Sequence, residues 1–132
     1  MYSFKNSPPP VKDFLRLRHV TEMSARSIEA AKKGLPNSLF AVTVYFEDTA
    51  IGMGRVVGDG GCNYLIIDIA VEPIHQGKGL GRQIMQRIMD YIEETAPVGA
   101  HVALLADVPE LYEKFGFKCT APDSVGMALI KS

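Results

Sequence analysis

Residues 67–82, Ile67-Asp68-Ile69-Ala70-Val71-Glu72-Pro73-Ile74-His75-Gln76-Gly77-Lys78-Gly79-Leu80-Gly81-Arg82, leave the chain around them few options. An apolar run stops at Pro73 and crosses a loop with glycines at the alternate positions 77, 79 and 81. Beyond it, Leu80, Ile84, Met85, Ile88, Met89 and Ile92 recur on one broad face at helical spacing. The order is strand, loop, helix, with the helix over 79–95. Pro97 and Gly99 end it, and His101-Val102-Ala103-Leu104-Leu105-Ala106 reads as a buried strand. Two strands joined through a helix in one sheet run parallel, so both carboxyl ends face the glycine loop.

Glycines let backbone N–H groups approach one point, and the first turn of a helix leaves its own donors unpaired. Together they form a cradle for an anion. Lys78 and Arg82 lie at the N-terminal end of the helix, and Asp90, Glu93 and Glu94 lie near its C-terminal end. This polarity opposes the helix macrodipole, at a cost of roughly 0.3–1 kcal/mol for each exposed charge. A bound phosphate would reverse the cost, whereas a solvated charged face beside an ordinary glycine turn is the plainer alternative. The spacing excludes a dinucleotide fingerprint, since the third glycine position falls on Arg82 or Ile84, and no Gly-Lys-Ser/Thr follows.

Gln76-Gly77-Lys78-Gly79-Leu80-Gly81 resembles the Gln/Arg-x-x-Gly-x-Gly/Ala signature of the GNAT acetyltransferases. The resemblance extends to Ile69-Ala70-Val71-Glu72-Pro73 upstream and to Leu111-Tyr112-Glu113-Lys114-Phe115-Gly116-Phe117 downstream, in the family's order. It implies an α/β (α+β) domain: a central mixed, mostly antiparallel sheet with one splayed parallel strand pair and helices on both faces. It also implies acetyl-CoA as cosubstrate and no metal. The backbone of Ile69, Ala70 and Val71 would hold the pantetheine arm and thioester. Gln76, Gly77, Lys78, Gly79, Leu80, Gly81 and Arg82 would hold the pyrophosphate, with Phe115 a further coenzyme contact.

The implied reaction is attack of an amine on the thioester carbonyl, which needs a neutral amine, a donor for the oxyanion and a proton for the departing thiolate. Tyr112 stands where the family often carries the tyrosine that supplies that proton. A phenol with a pKa of about 10 suits a thiol near 8.5. Packing of the short helix is the structural alternative for Tyr112. Asp107 occupies a neighbourhood from which bases or water-holding groups come, where many members have asparagine; it is equally placed to cap the helix begun by Pro109.

Asp68 is a lone charge in the apolar run 65–71. Folding the hairpin about Gly60-Gly61 brings Arg55 opposite it, so a structural ion pair stands beside a role toward the substrate amine or the proton path.

The rest of the chain fits one domain of 132 residues. Residues 1–10 read as an extended arm because of Pro8-Pro9-Pro10. A helix follows from Val11, with Phe14, Leu15, Leu17, Val20 and Met23 on its apolar face. A second starts at a Ser24 cap and ends at Gly34 and Pro36. Strands are predicted over 39–46, 51–57 and 64–72, with Gly52 and Gly54 marking a bulge or a close approach. The chain then gives a short helix over 109–115 and closing strands at 117–119 and 125–130.

The net charge of −1 supplies no electrostatic reason for a nucleic-acid partner. No apolar run has the length of a membrane span, and Ser7-Pro8-Pro9-Pro10 falls where a signal peptide needs an apolar core. Cys62 and Cys119 lack metal or redox spacing and suggest reduced thiols in the cytoplasm. The expected function is N-acetylation of a primary amine, small-molecule or protein-borne, in a groove of the N-terminal helices, the 55–59 region and the closing hairpin. A non-catalytic acyl-CoA sensor is the alternative, and pairing into a homodimer is a further expectation.

Overall fold

The structure is a computed structural model that describes residues 1–106 and 108–132. Five strands form one sheet in the order β1 (Tyr2–Lys5), β2 (Phe40–Phe46), β3 (Thr49–Gly58), β4 (Asn63–Val71) and β5 (His101–Leu104). All neighbours are antiparallel except β4 and β5, which run parallel. The predicted mixed sheet is therefore present.

The helix α3 (Leu80–Thr95) packs on one face, where Leu80, Ile84, Met85, Ile88 and Ile92 meet Val42, Val44, Val56 and Ile66. The helices α1 (Val11–Val20) and α2 (Ile28–Gly34) cover the other, where Phe14, Leu17, Ala31 and Leu35 meet Met53 and Ala70. Each helix buries its apolar stripe, and the sheet is apolar on both sides. Glycine at 54 permits this approach: a Cβ there would lie 2.6 Å from Ile84 Cγ2 and 2.8 Å from Ile69 Cδ1.

Three expectations are corrected. Residues 2–5 are not a free arm but an edge strand, pairing Tyr2 with Phe46 and Lys5 with Thr43. The prolines bar hydrogen bonding only from residue 8 onward, leaving the alternation of Tyr2 and Phe4 free to act. The second helix is capped by Ser27, whose hydroxyl accepts from Ala30 N at 3.1 Å, and not by Ser24, which is engaged by arginines. Among the described residues no strand follows β5. The helix α4 (Pro109–Glu113) ends sooner than predicted, and 125–130 stay exposed, with Met127 at 94% and Leu129 at 90%. A strand-like composition forms a strand only where a neighbour supplies the ladder.

Candidate functional site

The site begins with a fault in β4. Arg55 is paired with Ile67, but Met53 is paired with Ala70, so Gly54 faces two residues where regular pairing allows one. The extra residue is a β-bulge, and Asp68 within it has φ of +59°, a conformation aspartate tolerates better than most residues. The bulge resets the alternation. Ile66 and Ile69 join the α3 face, whereas Asp68 turns to the α1 face beside Arg55.

The bulge also coincides with the end of the β4–β5 ladder. Parallel pairing runs from Asn63 with His101 to Ile66 with Leu104. Residues 67–71 continue with β3 as their sheet neighbour, so the two parallel strands part at Asp68. The opening leaves one side of the β4 backbone around Ile69, Ala70 and Val71 without a strand partner among the described residues. This is the splay that the resemblance to the GNAT acetyltransferases implies.

The end of β4 delivers the chain to the glycine loop. Gly77 and Gly79 both have φ of +79°, which places them where a side chain is strained. An added Cβ at 77, 79 or 81 would meet no atom within 4 Å, so the surface over the loop is open. Gly79 forms the N-terminal boundary of α3 without a side-chain cap, and the helix has no acidic residue in its first turn and no basic residue in its last. The amides of its first turn lie at the same helix end as the cations Lys78 and Arg82, a donor set and charge that fit a diphosphate, and the Lys78 ammonium lies 5.8 Å from the centroid of the Tyr2 ring.

The predicted coenzyme residues divide by role. Leu80 buries its side chain in the core and offers only its backbone. The Gln76 side chain donates to the Val71 carbonyl at 2.9 Å, bracing the loop against the strand end. His75 is tied through Nδ1 to the Tyr2 hydroxyl at 2.8 Å, so β1 also steadies the loop.

Tyr112 and Phe115 lie at α4, partly buried against the α3 core cluster. Tyr112 shares with β5 and residues 117–120 a cavity of about 250 Å³. Asp107 lies outside the described residues.

Asp68 is joined to Arg55, as expected, with Nε donating to Oδ2 at 2.8 Å. It is joined as well to Arg18 of α1, which donates to Oδ1. Both carboxylate oxygens are thus engaged and all three side chains are buried. Arg18 was missed in the sequence, yet it stands four residues after Phe14 on the apolar stripe, an unusual place for a charge. Burial pushes its pKa down, Asp68 opposes this, and Arg26 and Arg55 add to the fall.

These three groups line a second cavity of about 550 Å³ on the α1–α2 face of the sheet. It reaches Ile66 and Ile67 on β4 and Leu105 just beyond β5, the place where the strands part. Asp59 forms the β3–β4 turn: its Oδ1 accepts from Gly61 N and Asn63 N at 2.9 Å each, and these bonds hold its pKa down.

Comparison with known proteins agrees with this geometry. The profile of the acetyltransferase (GNAT) domain matches residues 37–119. An uncharacterised ycf52-like N-acetyltransferase of Prochlorococcus marinus is 31% identical over 88% of this chain, and the chain spans 68% of its length. A chloroplastic serotonin N-acetyltransferase of rice, Oryza sativa subsp. japonica, is 32% identical over 81% of the chain, which spans 56% of it. Among solved structures, a protein of unknown function described as a probable acetyltransferase, from meticillin-resistant Staphylococcus aureus, superposes with a TM-score of 0.95 at 47% identity. That match covers 99% of this chain and 100% of the other. The chain belongs to the GNAT acetyltransferases, whose members transfer an acetyl group from acetyl-CoA.

Proposed function

We propose that this protein acetylates a primary amine by direct attack within a ternary complex. The observation that carries the reading is the parting of β4 from β5 at the bulge, directly ahead of an open glycine loop and an uncapped helix. Acetyl-CoA, when bound, supplies the activated acyl group as a thioester. The amides of 77–82 with Lys78 and Arg82 are suited to its diphosphate, and the free side of β4 at 69–71 to its amide-bearing arm, as an added strand would bond.

In this reading a backbone N–H of residue 69 or 70 polarises the reacting carbonyl. The amine nitrogen forms the new C–N bond as the C–S bond breaks, and the Tyr112 hydroxyl gives its proton to the sulfur that leaves. Water in the cavity takes the proton released by the amine. Asp68 is a positioning residue rather than the base, since both oxygens are held by arginines and it fixes the bulge that opens the strands. Phe115 lends apolar contact at the same end of α4.

The test is release of free coenzyme A with a panel of primary amines, run beside calorimetric binding of acetyl-CoA. Turnover with at least one amine, lowered in Tyr112→Phe more than acetyl-CoA affinity is lowered, is the expected result. Binding with no turnover on any amine would overturn the transfer reading and leave an acyl-CoA sensor.

A further inference from the structure

We infer that the 550 Å³ cavity takes the acceptor, and that the acceptor carries a carboxylate or phosphate beside its amine, held by Arg55 and Arg26. The inference deepens the acetyl-transfer reading and rests on it for the amine. Position supports it first. The cavity meets the sheet at Ile66, Ile67 and Leu105, where β4 and β5 separate, so an acceptor seated there reaches the opening that would present the acyl group.

Charge supports it next. Among the described residues the lining holds three cations, Arg18, Arg26 and Arg55, against two anions, Glu22 and Asp68. Asp68 is fully engaged inside the cluster, one oxygen on Arg18 and the other on Arg55. Its capacity to attract a cationic acceptor is therefore spent, while the wall retains a positive excess.

The donor inventory points the same way. Arg18 commits all three of its nitrogens, to Asp68 and to Ser24. Arg55 makes its hydrogen bonds through Nε and Nη1, to Asp68, Ser38 and Gly34. Its Nη2 has no such bond among the described residues. Among the described residues Arg26 bonds only through Nη1, to Ser24 and Ala25. Two planar guanidiniums thus keep N–H groups for an anion, in the fork geometry that carboxylates and phosphates accept.

The Phe14 ring lies under both Arg18 and Arg55, with centroids 5.9 and 5.8 Å from their guanidinium carbons, and holds them in place. A polyamine or simple arylalkylamine would bring positive charge into this wall. An amino acid or a phosphorylated amino compound would bring the missing negative charge.

Calorimetry on the full chain with coenzyme A present tests this with two matched pairs. L-phenylalanine against L-phenylalaninamide probes the carboxylate, and phosphoethanolamine against ethanolamine probes the phosphate. The expected result is that at least one anionic member binds ten-fold or more tightly than its partner, in keeping with a charge-assisted contact. Arg26→Ala, at an exposed position, should narrow that ratio about three-fold or more by loss of one such contact; Arg55→Met, checked for folding by circular dichroism, should narrow it further. Members lacking the carboxylate or phosphate binding as well as those that carry it, binding by neither pair, or a ratio unchanged in both variants would overturn the inference. Tight binding of an anionic member with no coenzyme A released from acetyl-CoA would uphold it and overturn the transfer reading instead.

Discussion

Replacing Asp68 by asparagine isolates the electrostatics of the buried cluster. Asparagine keeps the size of the side chain and tolerates the φ of +59° as aspartate does, so the bulge itself is not strained by the change. What remains is two buried guanidiniums without their shared carboxylate. Removing one member of a buried ion pair costs roughly 3–5 kcal/mol. Both arginines retain other partners, Arg18 on the Ser24 carbonyl and Arg55 on the Ser38 hydroxyl, and both border a cavity that admits water. The lower end, about 3 kcal/mol, is therefore expected.

Arg55→Met should cost less, about 1–2 kcal/mol, because Arg18 and Asp68 remain as a neutral pair. For a chain of this length the first loss lowers Tm by roughly 10 °C. Urea denaturation, with an unchanged m value, measures both. A loss below about 1 kcal/mol for Asp68→Asn, or a greater loss for Arg55→Met than for Asp68→Asn, would falsify the argument that one carboxylate neutralises two buried cations.

Other expected outcomes address the cradle, the proton donor and the β3–β4 turn. Gly81→Asp, at a residue outside the left-handed region with open space above it, should weaken coenzyme A binding by about ten-fold or more through charge repulsion; unchanged affinity by calorimetry in the folded variant counts against the cradle. Gly79→Asp should weaken it further, because φ of +79° adds backbone strain. Tyr112→Phe should lower kcat by roughly 10²-fold or more with little change in acetyl-CoA affinity, and an equal rate removes its acid role. Asp59, whose pKa is depressed by backbone N–H donors, stabilises the turn fully above its unfolded value of about 3.9 and loses that contribution as pH falls through the lower folded value. The protection factors of the Gly61 and Asn63 amides, taken relative to their intrinsic exchange rates, should therefore fall in acid, and Asp59→Ala should show the lower protection already at pH 7.

The two halves of the proposed site, one for the coenzyme and one for the acceptor, were unequally legible, for a physical reason. The coenzyme half is made of backbone, and the residues that shape it are local: Pro73 stops β4, glycines at 77 and 79 turn the loop, and the apolar face from Leu80 to Ile92 starts the helix. Period and glycine placement report such features directly. The acceptor half is made of side chains brought together by the fold. Arg18 meets Asp68 across 50 residues of sequence, and Arg55 meets Gly34 across 21.

The Arg55–Asp68 contact was legible because a hairpin with a short turn fixes which residues are neighbours. The bulge was legible only in part: Gly52 and Gly54 marked a bulge or a close approach in β3 but not the inserted residue on β4, because the signal for strand facing is alternation and a bulge is its local failure. Predicted strands failed at the C-terminus for the converse reason, since composition at 125–130 favours a strand but gives no information about whether an edge is available to pair with it. A single inserted residue in β4 thus does what no local pattern announces. It turns Asp68 toward Arg18 and Arg55, ends the ladder with β5, and so joins the legible glycine-loop half to the arginine-lined cavity on the opposite face.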